Sequence, residues 1–352
     1  MRKGTALVVG ATGITGGNLA SYLTASGWSV YGLSRRPSDQ AGVIPVAADL
    51  LDREATAEAL AGLPITHVFY CTWVRRENEK ANVEANGAMM HNLLDALQGA
   101  SLAHVSLVTG TKQYLGAFEN YGSGKTETPF RESAPRVPGE NFYYTLEDIM
   151  FAKAGRDGFS WNVHRPHTVI GYARGNAMNM GVTLAVYASI CKATGKPFTF
   201  PGSQVQWNAL TDLTDSLVLA RQMEWAATTP GAHNEAFNTV NGDVFRWRRL
   251  WHEIGEFFEL EVADCPETPQ PLETQMADIA PTWAEIAENN ELVEADVSKL
   301  ASWWHTDADL GRELECVNDV TKSRDFGFDH FRETRAALFD LFTRLRAERI
   351  IP

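Results

Sequence analysis

The sequence lacks the features that define several large classes of protein. Its four cysteines include no C-x-x-C pair, which argues against a disulfide framework and a zinc site and is typical of a reducing compartment. No apolar run approaches the roughly 18 residues of a membrane span. The formal net charge is −13, whereas nucleic-acid binding needs clustered cations. Residues 1–4 lead directly into a strand pattern and leave no room for a signal peptide. We therefore expect a cytoplasmic protein with no membrane or nucleic-acid partner.

The first half of the sequence alternates regularly between short β-rich runs and helical segments. Predicted strands span residues 6–9, 29–33, 44–47, 67–70, 104–108 and 161–164, and predicted helices include 18–26, 53–60, 85–97 and 144–154. This order predicts an α/β fold, a Rossmann-type doubly wound parallel sheet with a smaller C-terminal lobe. We assign residues 1–165 to the Rossmann domain, completed by 205–242, and residues 166–204 and 243–352 to a substrate-binding lobe.

A glycine-rich turn follows the first predicted strand. Gly10, Gly13 and Gly16 have the spacing G-x-x-G-x-x-G and stand between an apolar strand and a helix. The first glycine allows a tight turn, and the next lets backbone N–H groups approach a pyrophosphate at the helix N-terminus. The last lets helix and strand pack closely. The turn therefore indicates a dinucleotide-binding site, in which we include Thr12 and Ile14.

The end of the second predicted strand bears on which dinucleotide is bound. An NAD enzyme usually carries Asp or Glu there, to accept hydrogen bonds from the ribose hydroxyls. This chain has Ser34, Arg35 and Arg36, with no acid between Tyr31 and Pro37. Two guanidinium groups can bracket a 2′-phosphate, which a carboxylate would repel. The sequence therefore predicts NADP(H) as the cofactor.

Residues after later strands extend this cofactor site. In short-chain dehydrogenases, which the arrangement resembles, the position after the third strand contacts adenine, and here it holds Asp49 and Leu50. Thr72 and Trp73 follow the fourth predicted strand and should lie along the ribose and nicotinamide. The remaining residues assigned to the cofactor are Thr109, Gly110, Tyr143, Pro166 and Val169.

The catalytic pair of ordinary short-chain dehydrogenases is a Tyr with a Lys four residues later, which lowers the pKa of the phenol. The literal match, Tyr121 and Lys125, lies in a glycine-rich loop, whereas the two side chains face the same way only on a helix. Residues 129–135 are similar to the P-F-x-E-x-x-P segment that precedes the catalytic Tyr of extended members. That segment leads to Tyr143, and Glu147 stands where the Lys would be.

A cation follows the fifth predicted strand instead. Lys112 stands near the place of the usual catalytic Ser, in a long polar loop over residues 110–140, and such loops are more often functional than idle. We therefore expect Lys112 and Tyr143 to be catalytic. The neighbouring Tyr144 leaves the Tyr assignment open by one residue, although register with the superfamily favours Tyr143.

The Lys112 block and the Asn-Phe-Tyr-Tyr block together resemble the progesterone 5β-reductase and iridoid synthase family of atypical short-chain dehydrogenases. The resemblance covers nearly the whole chain and is carried by THVFYCTW (66–73), EANG (84–87), TGTKQYLGAF (109–118), NFYYTLED (141–148), HRP (164–166), FPG (200–202), NEAFN (234–238) and NGDVF (241–245). Two positions depart from the family pattern: Gln113 replaces a usual His, and Ala117 replaces a usual Pro. Both should border the pocket, so they bear on the substrate and leave the chemistry intact.

The resemblance implies NADPH-dependent reduction of the C=C bond of an α,β-unsaturated carbonyl compound. Lys112 and Tyr143 would stabilise the enolate oxygen. The substrate would be a steroid, a terpenoid-like compound or a small enone or enal, in a pocket that includes Trp73, Phe118 and Tyr144.

Two other functions stay open: an NADPH-dependent ketone or aldehyde reductase, and a non-catalytic NADP-sensing Rossmann protein. We expect no metal, since His164 and His167 have the wrong spacing for a helical metal pair. The sequence leaves a homodimer and the stereochemistry of reduction open.

Overall fold

The computed structural model describes residues 3–117, 127–173, 175 and 178–352. The chain divides into two compact units. The first, which we call the sheet unit, comprises Met1–His167, Ser216–Thr239 and Asp319–His330. The second, the helical unit, comprises Thr168–Asp215, Val240–Asn318 and Phe331–Pro352.

Strands and helices alternate through the first half of the chain, and helices predominate in the second half. The strands are β1 (Thr5–Val9), β2 (Ser29–Ser34), β3 (Val43–Ala47), β4 (His67–Tyr70), β5 (His104–Val108), β6 (Ser160–Pro166), β7 (Val169–Ile170), β8 (Thr214–Asp215) and β9 (Glu235–Thr239). The helices are α1 (Ile14–Ala25), α2 (Arg53–Leu60), α3 (Glu79–Ala96), α4 (Lys112–Leu115), α5 (Phe142–Asp157), α6 (Met180–Thr194), α7 (Gln204–Asn208), α8 (Ser216–Thr228), α9 (Trp247–Phe258), α10 (Leu272–Gln275), α11 (Ala280–Asn289), α12 (Trp303–Leu310), α13 (Thr321–Asp325) and α14 (Thr334–Ala347).

The sheet unit is built on a seven-stranded parallel sheet with the order β3-β2-β1-β4-β5-β6-β9. The strand order reverses between β1 and β4, and ligands of such sheets bind in the crevice at this switch point, beyond the carboxyl ends of the strands. The predicted α/β fold with a Rossmann-type doubly wound sheet is confirmed.

Helices cover both faces of this sheet, which explains the continuous apolar runs of its strands. Leu7 and Val9 of β1 belong to a core that includes residues of α3 and α5, such as Leu93 and Leu146. Alternate residues of a strand face opposite sides, so Val8 points to the other face, where α1 packs against α8. The sheet is therefore buried on both sides and leaves its carboxyl edge for a ligand.

Three helices of the sheet unit begin earlier than the sequence pattern indicated. α1 begins at Ile14 and not at residue 18, because its first turn is rich in glycine, which weakens any helical signal. α3 begins at Glu79, where the Asn78 side chain caps it by accepting a hydrogen bond from Ala81 N–H. α5 begins at Phe142, two residues before the predicted start.

The helical unit contains a two-stranded parallel pair, β7 with β8, and a core of helices. The apolar residues of α9 recur at helical spacing and face this core, with Trp247 and Trp251 among its largest buried side chains. α6 is buried over nearly its whole length, is capped by Asn179 and ends at Gly195 in the left-handed conformation. None of the helices in the described residues is long and apolar enough to cross a membrane.

The unit boundaries differ from the predicted domain ranges at three places, and the first segment of the sheet unit ends at His167 and not at residue 165. The later segment of the sheet unit is Ser216–Thr239 and not 205–242, because β8 pairs with β7 in the helical unit. The sheet unit also takes Asp319–His330 from the predicted lobe. There Asp319 N–H donates to the carbonyl of Phe130 at 2.9 Å.

Candidate cofactor and active site

The glycine turn after β1 is shaped by close approaches of the backbone. Gly10 has φ +84°, a conformation that favours glycine, and a Cβ there would lie 2.8 Å from the carbonyl oxygen of Cys71. A Cβ on Gly16 would lie 2.3 Å from the carbonyl oxygen of Gly10. Gly13 precedes α1 as its N-cap, and the first turn of α1 contains no acidic residue. The helix N-terminus, with its unpaired backbone N–H groups, is therefore suited to an anion.

A cavity of about 780 Å³ lies at the carboxyl ends of the strands around the switch point. Its lining includes nine of the residues predicted for the cofactor or the pocket, namely Gly10, Thr12, Ser34, Arg35, Arg36, Asp49, Leu50, Thr72 and Trp73. Ile14 and Gly16 belong to the first turn of α1 and are buried. The structure thus brings residues that follow four different strands to one cavity.

The polar groups at the end of β2 fit a phosphorylated nucleotide. Ser34 is buried, and its hydroxyl has no hydrogen-bond partner among the described residues, although it lines the cavity. A buried hydroxyl of this kind is usually satisfied by a ligand or water. Arg35 and Arg36 are exposed, and neither forms an ion pair with any described residue. Their guanidinium groups are therefore available to an anionic ligand.

Lys112 lies at the start of α4, just beyond β5, and is almost completely buried. Its Nζ is 2.8 Å from Oε2 of Glu79, and the two side chains are 1% and 8% exposed. Nζ also lies 5.4 Å from the centre of the Phe142 ring, which stacks on Trp73 at 5.1 Å between ring centres. The preceding backbone is anchored by Thr111 N–H, which donates to the carbonyl of Pro166 at 3.2 Å.

Tyr143 is the second residue of α5, and the Asn141 side chain fixes it by accepting a hydrogen bond from its N–H. Its hydroxyl lies beside Gly110, because a Cβ on that glycine would be 3.3 Å from the hydroxyl oxygen. Burial and then the negative charge of Glu79 raise the pKa of Tyr143. The phenol is therefore a neutral O–H donor over the physiological pH range.

Tyr144 has a different environment. Its hydroxyl donates to the carbonyl of Gln113 at 2.8 Å and accepts from Val137 N–H at 2.9 Å. Both partners are backbone groups, and the ring lies against the guanidinium of Arg136. The hydroxyl of Tyr144 therefore holds chain segments together. Between the two tyrosines, this favours Tyr143 for contact with a substrate.

Glu147, at the place of the usual Lys, is buried in a network of arginines. Its carboxylate lies 2.8 Å from Arg136 and 3.2 Å from Arg165. Arg165 in turn donates to the Tyr114 hydroxyl at 3.4 Å. The negative charge of Glu147 is therefore balanced by these two arginines.

Glu79 and Phe142 were missed by the sequence reasoning. A signal was available for Glu79, since an acidic residue after β4 should stand near the cofactor crevice. The predicted helix begins only at residue 85 and therefore leaves Glu79 in the preceding loop. Asn86 was also missed, and its side-chain amide binds both the N–H and the carbonyl of Val74, next to Trp73.

The other predicted site residues are placed as follows. Thr109, Gly110 and Pro166 are buried at the ends of β5 and β6 in the sheet unit, and Val169 belongs to β7 of the helical unit. Phe118, Tyr121 and Lys125 lie outside the described residues. His164 is buried beside Gln222, its Nδ1 2.9 Å from Oε1. The roles of individual residues stay predictions.

Solved structures of low sequence identity share this fold. An epimerase from Methanothermobacter thermautotrophicus has a similar structure, with a TM-score of 0.72 and 15% identity over 98% of this chain and 93% of that one. A UDP-glucose 4-epimerase from Thermus thermophilus, solved with NAD, has a TM-score of 0.67 and 16% identity over 97% and 99% of the two chains. At such identities the similarity shows the fold alone, which is a Rossmann-type fold.

Sequence comparison gives the family. The model of the PRISE-like Rossmann-fold domain matches residues 40–352. The chain is 39% identical to an (S)-8-oxocitronellyl enol synthase of Camptotheca acuminata and 38% identical to one of Nepeta cataria. It is also 38% identical to a 3-oxo-Δ(4,5)-steroid 5β-reductase of Arabidopsis thaliana, and each match covers 99% of this chain and 94% of the relative. The chain therefore belongs to the progesterone 5β-reductase and iridoid synthase family. It is an enzyme of the class that reduces the C=C bond of enones and enals with a nicotinamide cofactor.

Proposed function

We propose that this protein uses NADPH to reduce a C=C bond conjugated to a carbonyl group, with Tyr143 and Lys112 as the groups that bind the carbonyl oxygen. The observation that carries the proposal is the position of the Tyr143 hydroxyl beside Gly110, close in sequence to the buried cation of Lys112. The Tyr143 hydroxyl would lie 3.3 Å from a Cβ placed on Gly110. Lys112 follows Gly110 by two residues in the sequence. This is the carboxyl end of β5, which borders the cofactor crevice.

The chemistry explains why two donors are needed. When bound, NADPH supplies a hydride to the β-carbon of the conjugated system. Negative charge then develops on the carbonyl oxygen of the substrate as an enolate. Tyr143 would donate its O–H to that oxygen, and Lys112 would place a positive charge beside it. Preorganised donors of this kind are worth roughly 3–4 kcal/mol each in the transition state. The α-carbon can take its proton from solvent, so no further acid is required.

The protonation state of Tyr143 supports this role. In an ordinary short-chain dehydrogenase, the lysine on the same helix lowers the pKa of the phenol for proton transfer. Here burial and the charge of Glu79 raise the pKa of Tyr143. A neutral phenol is a good hydrogen-bond donor to an enolate and a poor base for oxidising an alcohol.

The choice of NADPH is supported by the end of β2. Arg35 and Arg36 are exposed at the cavity and would bind the 2′-phosphate, while the unpartnered hydroxyl of Ser34 would complete its coordination. Asp49 also lines the cavity and would face the adenosine. No carboxylate stands among residues 32–36, where it would repel the phosphate.

The substrate is proposed by class only. By their names, the relatives reduce a 3-oxo-Δ(4,5)-steroid and form an (S)-8-oxocitronellyl enol. An oxygen site with two donors can bind the carbonyl oxygen of a conjugated ketone or aldehyde. We therefore propose an enone or enal of steroid, terpenoid or smaller size.

A panel of conjugated ketones and aldehydes tests the proposal. The purified protein should consume NADPH with at least some of them, and mass spectrometry should find a product that keeps its carbonyl group. Lys112→Met and Tyr143→Phe should each lower turnover by roughly a hundred- to a thousandfold, without loss of NADPH binding. An alcohol product would identify a carbonyl reductase instead. NADPH binding with no turnover of any substrate would identify a sensor.

A further inference from the structure

The carboxylate of Glu79 joins three elements next to the proposed oxygen site. Glu79 is the first residue of α3 and is buried. Its Oε2 is 2.8 Å from Nζ of Lys112 in α4, and its Oε1 accepts a hydrogen bond from Phe142 N–H at 2.8 Å. Asn82 adds an amide hydrogen bond to Oε2 at 3.3 Å. Among the described residues, this carboxylate therefore contacts Lys112, Phe142 and Asn82, the last of which belongs to its own first turn.

The contact with Phe142 concerns the helix that carries Tyr143. Phe142 is the first residue of α5, and its N–H is among those that have no partner within the helix. Glu79 binds this N–H, and Asn141 binds the next one. The Asn141 amide also donates to the backbone carbonyl of Lys112 at 3.1 Å. The two donors are thus tied to each other by a side-chain carboxylate and by a side-chain amide.

We propose that Glu79 is a positioning residue for the reduction, whose carboxylate holds the Lys112 ammonium and the first turn of α5 in one fixed arrangement. The inference rests on the proposed roles of Lys112 and Tyr143. A buried ammonium without a counter-charge is strongly destabilised, so Lys112 needs a carboxylate at this depth. Glu79 is bound on both oxygens and holds that cation without occupying the site itself.

The same carboxylate acts on the phenol through its charge. The charge that acts on Tyr143 comes from Glu79 of α3, which is paired with Lys112 of α4, whereas Glu147 of the same helix as Tyr143 is bound to arginines. After burial, the charge of Glu79 is what raises the pKa of Tyr143. Removing that charge should lower the pKa of Tyr143. The phenol should then lose its proton at a lower pH than in the wild-type protein.

Glu79→Gln tests the inference, because it keeps the shape and the acceptor for Phe142 N–H and removes the charge. With a weakly activated enone we expect kcat to fall by about tenfold to a hundredfold, as displaced catalytic groups do. The KM for NADPH should stay within about twofold of wild type, since no contact with the cofactor is removed. A strongly activated substrate should be affected less, and the alkaline decline of kcat/KM should move to lower pH. Glu79→Asp, which restores the charge, should recover part of the activity and the wild-type pH profile.

Glu224→Gln is the matched control. Glu224 is also a buried carboxylate of the sheet unit, bound to Lys3, Tyr22 and Trp28, each at 2.8 Å, and none of these groups is in the site. Its replacement should lower the thermal midpoint and leave the pH profile and the substrate dependence unchanged. Equal effects of Glu79→Gln and Glu224→Gln on turnover, or a Glu79→Gln protein with wild-type kcat and pH profile, would overturn the inference.

The double variant Glu79→Gln, Lys112→Met separates this inference from the proposed function. It removes both charges of the pair, so it should fold even if Glu79→Gln does not. If Glu79 acts through Lys112, the double variant should be little slower than Lys112→Met, because the effects are not additive. Additive losses would overturn the inference while the proposed function stands. Wild-type turnover in Lys112→Met would instead refute the proposed role of Lys112.

Discussion

Gly110 and Tyr143 lie in contact: a Cβ on Gly110 would meet the Tyr143 hydroxyl oxygen at 3.3 Å and the Pro166 carbonyl oxygen at 3.1 Å. The carbonyl belongs to the backbone and cannot move easily, so the phenol would have to yield. Gly110→Ala should therefore lower turnover of a weakly activated enone by about tenfold to a hundredfold through displacement of the hydroxyl. Steady-state kinetics would measure this loss.

Gly155 provides the control for that change. It lies in α5, and a Cβ there would meet no atom within 4 Å. Gly155→Ala should leave turnover unchanged and raise the free energy of unfolding by up to about 1 kcal/mol through helix propensity. Equal turnover of the two alanine variants would contradict the proposed position of the reactive phenol.

Substitutions of Tyr143 and Tyr144 should have different effects on stability and on activity. Tyr144→Phe removes hydrogen bonds to the backbone at Gln113 and Val137 and should cost about 1–3 kcal/mol of stability, measured by urea denaturation. Below its unfolding transition it should keep most of its turnover. If Tyr144→Phe abolished turnover in a folded protein while Tyr143→Phe did not, the catalytic role would pass to Tyr144.

Arg35 and Arg36 should determine the preference for NADPH. Replacing both with Ala should raise the KM for NADPH by roughly tenfold to a hundredfold, the value of one or two charge-assisted hydrogen bonds. The KM for NADH should change little. Arg53→Ala removes an exposed cation of α2 outside the cavity lining and controls for net charge. A parallel loss for both cofactors would show that the arginines do not read the 2′-phosphate.

Glu147 should contribute to the free energy of unfolding. Glu147→Gln leaves Arg165 without its buried counter-charge and should lower the free energy of unfolding by about 3–5 kcal/mol. Glu147→Lys restores the ordinary Tyr-x-x-x-Lys spacing but places a cation beside Arg136 and Arg165, so it should be less stable still. Asp148→Asn is the control, because Asp148 is 62% exposed and its pair with Arg136 is worth less than about 1 kcal/mol.

The buried His164 and the partly buried His67 should make the protein less stable in mild acid. Burial lowers the pKa of His164 to about 4, with a smaller opposing effect from Gln222, and burial also lowers the pKa of His67 to about 4. In the unfolded chain these groups titrate near 6.5, so between pH 6.5 and 4 the unfolded state binds more protons. The contribution of these neutral histidines to the free energy of unfolding should therefore be fully present above pH 6.5. It should decline as the pH falls towards 4. Urea midpoints at a series of pH values would show it, and the decline should be shallower in His164→Leu.

The sequence reasoning succeeded where a signal is local. β4 and β5 have the predicted bounds because each is a short apolar run between polar residues. The family was identified correctly from the Lys112 and Tyr143 blocks, and the class of reaction is confirmed with it.

What the sequence could not provide depends on contacts between distant residues. The Lys112–Glu79 pair joins helices that no periodicity connects, and it explains how this lysine can be buried. The two hydroxyls of Tyr143 and Tyr144 look equivalent in sequence. They differ only because α5 turns one towards Gly110 and the other towards the backbone at Val137.

The division of the sheet unit among three segments of the chain has a consequence for biosynthesis. Its edge strand β9 and the segment that contains α13 are translated long after β6, with segments of the helical unit in between. The late segment anchors that edge, since the Asn238 amide donates to the carbonyl of Asp319. Pairing between strands so distant in sequence is slow to form. The nascent chain therefore carries β6 as an open edge until β9 has been translated, and a protein truncated before Glu235 should aggregate.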